Sequence, residues 1–241
     1  MKPIFTPITA ILLAPLVVMI LAMNVFAQPY IPEEGSAELS AKSREQRPAK
    51  VDPNLPNVLI IGDSISIGYT PRVRKLLDGK ANIHRPKTNC RWSAFGNENV
   101  LHWIGEEKWD LIHFNFGLWD WYGWKQNKKA TAQSYAKSLE GIVQKLKASG
   151  AKLVFAVTTP PCIGPEKKVQ FIVEDERAEK FNRSALAVMK KYGVAINDLY
   201  SLIGKDRAKY QLGANDVHYN DAGRDLLAAQ VSKVITKELF Q

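Results

Sequence analysis

The chain of 241 residues has two cysteines, four histidines and four methionines. Two cysteines, Cys90 and Cys162, are too few for a disulfide scaffold, although an oxidising compartment would permit one bridge between them. The histidines are spread along the chain with no paired ligand spacing, which excludes the usual zinc patterns, so no metal and no cofactor is expected. After Met23 no apolar run approaches the length of a membrane span. A phosphate-binding loop is also missing, because no glycine-rich turn ends in Gly-Lys-Ser or Gly-Lys-Thr. Acidic excess is absent too. The formal net charge is +9, but Lys and Arg are scattered rather than massed, so the charge reads as a solvated basic face and not as a nucleic-acid groove.

What is present starts with a leader. Lys2, an apolar run from Ile8 to Met23 and the small-residue ending Val25-Phe26-Ala27 form a secretory signal pattern over residues 1–27, with cleavage before Gln28. The alternative is an uncleaved membrane anchor. Export, periplasmic or secreted, removes nucleic acid as an ordinary partner, and leaves the membrane as a partner only through this segment. Residues 28–56 are rich in Pro, Glu, Ser, Ala and Lys without apolar periodicity, and they read as a solvated linker. One folded domain is expected over residues 57–241, large enough to bury a core without staples.

Within it, short apolar runs alternate with helical patterns. Val58–Ile61, Leu111–Phe114, Leu153–Val157 and Val194–Ile196 read as strands buried on both faces, and Ala81–Arg85 as a weaker one. Helices are predicted at Pro71–Leu77, Asn97–Glu107, Ala130–Ser149, Asp175–Tyr192 and Ala222–Leu239. This alternation specifies a three-layer α/β fold on a parallel sheet, in which ligands bind beyond the carboxyl ends of the strands.

That rule selects the residues able to do chemistry. Gly62-Asp63-Ser64 follows the first strand, and puts a hydroxyl at a strand-to-helix turn near backbone N–H groups that could stabilise an oxyanion. A serine nucleophile needs a base. His84, His102 and His113 fall in predicted strands or a helix, whereas His218 lies in the polar stretch "NDVHYNDAG" before the last helix. Asp216 and Asn215 are its local partners.

Gly62-Asp63-Ser64, the glycine turn after the third strand, and His218 followed by Asn220 and Gly223 together resemble the SGNH/GDSL hydrolases. The resemblance implies a flavodoxin-like sheet of five parallel strands in the order 2-1-3-4-5, and ester hydrolysis through an acyl-enzyme with Ser64 as nucleophile and His218 as base. Two departures stand out. Where the family carries Gly-x-Asn-Asp, with the Asn donating to the oxyanion, this chain reads Gly117-Leu118-Trp119-Asp120. The acid position three residues before the histidine is Asn215, with Asp216 displaced by one; Asp216 is taken as the acid that orients the imidazole, with Asn215 or a backbone carbonyl as the alternatives. The oxyanion hole is then assigned to Ser64, Gly96 and Trp119, with Asn89 as a further amide donor.

Trp119, Trp121, Tyr122 and Trp124 follow the third strand, and with Trp92 they form an expected aromatic rim for sugar rings. An exported enzyme with such a rim points to the release of O-acyl, above all O-acetyl, groups from a small ester or an acylated glycan. A lysophospholipase or thioesterase-like hydrolase and a non-catalytic glycan-binding relative are the competing readings.

Overall fold

The computed structural model describes residues 51–124 and 130–241. The predicted signal peptide, and the linker as far as residue 50, lie outside the described residues. The central sheet consists of β1 (Asn57–Ile61), β2 (Asn82–His84), β3 (Leu111–Phe114), β4 (Lys152–Ala156) and β5 (Ala195–Asn197). All are parallel, in the order β2-β1-β3-β4-β5. The register pairs Leu59 with Ile112 and Ile112 with Leu153. β3 is buried along its whole length and β1 along nearly all of it, because helices cover both faces of a parallel sheet.

On one face α1 (Ser64–Leu76) packs against the last helix, α8 (Asp221–Phe240). On the other, α2 (Ser93–Ile104), α4 (Ala132–Ala148) and α5 (Asp175–Tyr192) pack in series. From β1 the chain runs outward to β2, then crosses to β3 on the opposite side. The connections leaving β1 and β3 therefore diverge, which opens the crevice where such sheets bind ligands.

Two helix starts differ from the sequence expectation, and both are capped by contacts that periodicity does not reveal. α1 begins at Ser64 rather than Pro71, with Pro71 inside the helix. Asp63 caps it by accepting from Ile65 N at 3.0 Å, and Ile65, Tyr69 and Val73 bury one face, so packing overrides the proline. α2 begins at Ser93, where no local side chain caps it. The cap comes from Asp120, whose carboxylate accepts Ser93 N at 3.0 Å and Ser93 Oγ at 2.6 Å.

Six helical or strand segments were not expected. α3 (Leu118–Tyr122) follows Gly117, whose φ of 149° and close approach to Thr158 exclude a side chain: a Cβ there would lie 2.4 Å from Thr158 Oγ1. After β5 come α6 (Leu199–Ile203), a 3-10 turn at Gly204–Asp206 and α7 (Arg207–Tyr210). An antiparallel hairpin of β6 (Gln211–Gly213) and β7 (Asp216–Tyr219) then leads into α8. The polar stretch around His218 is thus a strand and not a loop. Asn220 ends it by capping α8 through Gly223 N at 2.9 Å.

Candidate active site

The end of β1 places Ser64 at the first position of α1, where backbone N–H groups have no intrahelical acceptor and the helix dipole is positive. β7 packs across this helix end and brings His218 Nε2 to 2.8 Å from Ser64 Oγ. On the other side of the ring, His218 Nδ1 lies 2.6 Å from Asp216 Oδ1, which also accepts His218 N at 3.0 Å. With Nδ1–H donating to the carboxylate, Nε2 is left as an acceptor for the serine hydroxyl. Burial opposes the charge on Asp216, but the bonds from Lys167, the His218 N–H and the imidazole prevail and bring its pKa down to about 2. The displaced acid thus reaches the histidine because residues 216 to 218 are extended: successive-but-one residues share a face of β7. Asn215 is turned toward Gly164 instead, where its Oδ1 would lie 2.4 Å from a Cβ on that glycine.

Beneath Ser64 the support is polar and buried. Ser66 Oγ donates to the Asp63 carbonyl at 2.7 Å. Arg85 Nη2 donates to the Gly62 carbonyl and to Ser66 Oγ, both at 3.1 Å. Burial raises the pKa of Asp63 and lowers that of Arg85. The Gly62 carbonyl also accepts Cys90 N at 3.2 Å, which anchors the loop of Asn89–Arg91 beside β1. Arg91 holds a φ of 55°, a conformation few non-glycine residues adopt, and its N–H donates to Asn89 Oδ1 at 2.9 Å.

Two expectations need correction. Gly96 is not available as an oxyanion donor: it lies within α2 and its N–H donates to the Trp92 carbonyl at 2.9 Å. A glycine stands there because a Cβ would lie 2.4 Å from the Phe116 ring. The aromatic rim is not a set of open ring faces either. Trp92, Trp119, Trp121, Tyr122 and Trp124 are all buried, between 1% and 9% exposed. Tyr122 and Trp124 stack with centroids 4.9 Å apart. Trp124 meets Trp119 edge-on at 5.2 Å, and Trp119 meets Trp92 at 5.9 Å. Such a group buries more surface by packing on itself than by facing water. Trp119, Trp121, Tyr122 and Trp124 still line one wall of a cavity of about 870 Å³, which Lys168, Val169, Phe171 and Arg177 complete.

The two cysteines are free and buried, in separate settings. Cys90 sits beneath the turn of residues 62–64, where burial pushes its thiol up to about 12. Cys162 Sγ lies 3.2 Å from Tyr122 Oη. Among the remaining histidines, His113 is enclosed in the sheet with Nε2 at 3.0 Å from Asn197 Nδ2, and burial lowers its pKa to about 4. Among the described residues no cluster of His, Cys, Asp or Glu could hold a metal ion, and no helix is long and apolar enough to cross a membrane.

The model of the GDSL-like lipase/acylhydrolase family matches residues 60–226, from β1 through the start of α8. The chain belongs to this family. It is therefore an SGNH/GDSL-type carboxylic ester hydrolase, and the five-stranded sheet has the order that the family resemblance implied. Solved structures share the fold at low identity. An acetyl xylan esterase is 15% identical with a TM-score of 0.62, the match covering 74% of this chain and 99% of that one. A lipase/acylhydrolase from Enterococcus faecalis is 16% identical with a TM-score of 0.64, covering 76% and 96%. The M. smegmatis aryl esterase is 14% identical with a TM-score of 0.64, covering 76% and 100%. No curated protein matches the sequence.

Proposed function

We propose that this SGNH/GDSL hydrolase is an exported serine esterase that removes short acyl groups, chiefly acetyl, from a carbohydrate, with Ser64, His218 and Asp216 as its catalytic triad. The observation that carries the triad is the continuous hydrogen-bonded line from Ser64 Oγ through the imidazole to Asp216. His218 Nε2 takes the Ser64 proton as Oγ attacks the ester carbonyl. The tetrahedral oxyanion forms at the N-terminus of α1, where the Ser64 N–H donates to it. Collapse breaks the C–O bond to the alcohol, which leaves with the proton from His218. Water then attacks the acyl-serine with His218 again as base, and the acid and free Ser64 are released. Asp216 remains ionised, fixes the imidazole tautomer and stabilises the imidazolium.

The carbohydrate reading is supported by the aromatic wall of the 870 Å³ cavity. Lys168 and Arg177 at the same cavity favour an alcohol moiety carrying negative charge. The acetyl xylan esterase among the structural neighbours acts on an acetylated glycan by its name. A second reading, a hydrolase of longer acyl chains, is favoured by Ile163, Phe171, Ile172 and Leu212, exposed apolar residues on or near the segment beside the hairpin. Initial rates on nitrophenyl acetate and octanoate, followed by acetate release from acetylated glycans, test the choice. A preference for acetate with glycan release supports the first reading. A preference for octanoate with no acetate released contradicts it.

A further inference from the structure

Asp216 has two carboxylate oxygens, and they serve different partners. Oδ1 faces the imidazole, while Oδ2 accepts Lys167 Nζ at 2.5 Å. Lys167 arrives on the segment 162–171 after β4, far from the hairpin in sequence. Its placement there is fixed by its neighbours. Gly164 N–H donates to the Ala214 carbonyl at 2.7 Å and Lys167 N–H to the Asn215 carbonyl at 3.1 Å. The segment then folds back, with Glu166 N–H donating to the Phe171 carbonyl at 3.1 Å and Gln170 N–H to the Glu166 carbonyl at 2.7 Å. Glu166, buried, accepts Trp124 Nε1 at 3.1 Å and Lys168 N at 2.9 Å. Backbone and side-chain bonds on both sides of Lys167 thus hold its ammonium against the acid.

We propose that Lys167 is a positioning residue of the triad: it holds Asp216 so that Oδ1 faces His218, and its charge sets the pH at which His218 becomes a base. The inference rests on the assignment of Ser64, His218 and Asp216 above. A carboxylate shared between an ammonium and an imidazole stabilises imidazolium less than an unshared one does. Removing the ammonium therefore favours protonated His218 and moves the acidic limb of the rate profile to higher pH. Asp216 raises the pKa of Lys167 in return, so the ammonium persists across the working range. The other titratable groups acting here are Asp63 from the cap of α1, which faces His218, and Cys162 and Glu166 from the same segment, which act on Asp216 and Lys167 respectively. They are unchanged in the variants below, so a shift reports on Lys167.

The test uses the full chain with Lys167→Met, which keeps the stem and loses the charge, and Lys167→Arg, which keeps the charge. For each, kcat/KM on nitrophenyl acetate is measured against pH, and the His218 imidazole is titrated by NMR. Lys167→Met is expected to raise both midpoints by about half a pH unit or more and to reduce kcat/KM several-fold at the acidic limb. Lys167→Arg should restore them. If the Met variant does not accumulate folded, Lys167→Gln carries the same expectation. Unmoved midpoints, or a uniform loss at every pH, would overturn the proposal. The NMR titration needs no turnover: a shifted His218 midpoint alongside full activity in Ser64→Ala would reject the triad while retaining the charge coupling.

Discussion

Two stretches reach the same carboxyl edge of the sheet and behave in opposite ways. The turn after β1 with its partner strand β7 is polar and partly open, and each group in it holds a hydrogen bond that orients the next. The segment after β3 is aromatic and closed, and its rings stack on one another beneath the surface. Position at the ligand edge is therefore not sufficient for a part in the bond-making chemistry. What separates the two is how each residue type gains free energy: a hydroxyl or carboxylate at the edge needs partners or water, whereas an indole gains by burial. The first region should govern rate and the second stability.

The largest expected effect breaks the polar region. Ser64→Ala and His218→Ala should each lower kcat/KM on nitrophenyl acetate by about 10³-fold or more with little change in Tm. Next, Asp216→Ala should cost about 10²–10⁴ in kcat whereas Asn215→Ala costs little, because only Asp216 touches the imidazole. Parallel kinetics on the two variants check the ranking, and the reverse order would move the acid role to position 215.

On the aromatic side the sign of the contrast inverts. Trp121→Ala should cost about 3–5 kcal/mol of stability, read by urea unfolding, with kcat largely retained in the molecules still folded. Tyr122→Phe is a finer probe. It removes only the hydroxyl that accepts Cys162 N at 3.1 Å, and should cost about 1–3 kcal/mol, since a buried N–H loses its acceptor.

The sheet itself should show a pH signature separate from both regions. His113 titrates near 4 in the fold against 6.5 in the unfolded chain, so the unfolded state binds the extra proton. Stability from this group is intact above pH 6.5 and is lost as pH falls toward 4, by roughly 3 kcal/mol from that difference. Thermal melts of wild type and His113→Gln between pH 7 and pH 4 check this, the variant declining less steeply. Asp216 has the same sign at lower pH. Its depressed pKa adds stability above about pH 4, which is lost as pH falls through about 2.

The contrast also explains what the sequence could and could not disclose. Apolar runs marked β1, β3 and β4, because burial on both faces leaves few alternatives to Val, Leu, Ile and Phe, whereas β2 was marked only by a weaker pattern and β5, expected to be buried on both faces, exposes Ile196. Ser64 and His218 were legible since each stands at a break between such a run and a helical pattern. The start of α2 was not, because its cap is Asp120, distant in sequence. Gly96 was misassigned for a related reason: its role is to let Phe116 approach the helix. The burial of the five rings depends on their mutual packing, and composition does not say whether an aromatic cluster faces inward. Lys167 gave no signal at all, as one of a pair of lysines in a surface segment, until the hairpin was folded against it.

The claim that the polar region alone does the chemistry is tested most directly by labelling with a fluorophosphonate, which phosphonylates only an activated serine. Peptide mapping of the labelled protein should place one adduct on Ser64, absent in Ser64→Ala, strongly slowed in His218→Ala and unaffected in Tyr122→Phe. An adduct on another residue, or full esterase turnover in the unlabelled Ser64→Ala variant, would contradict it.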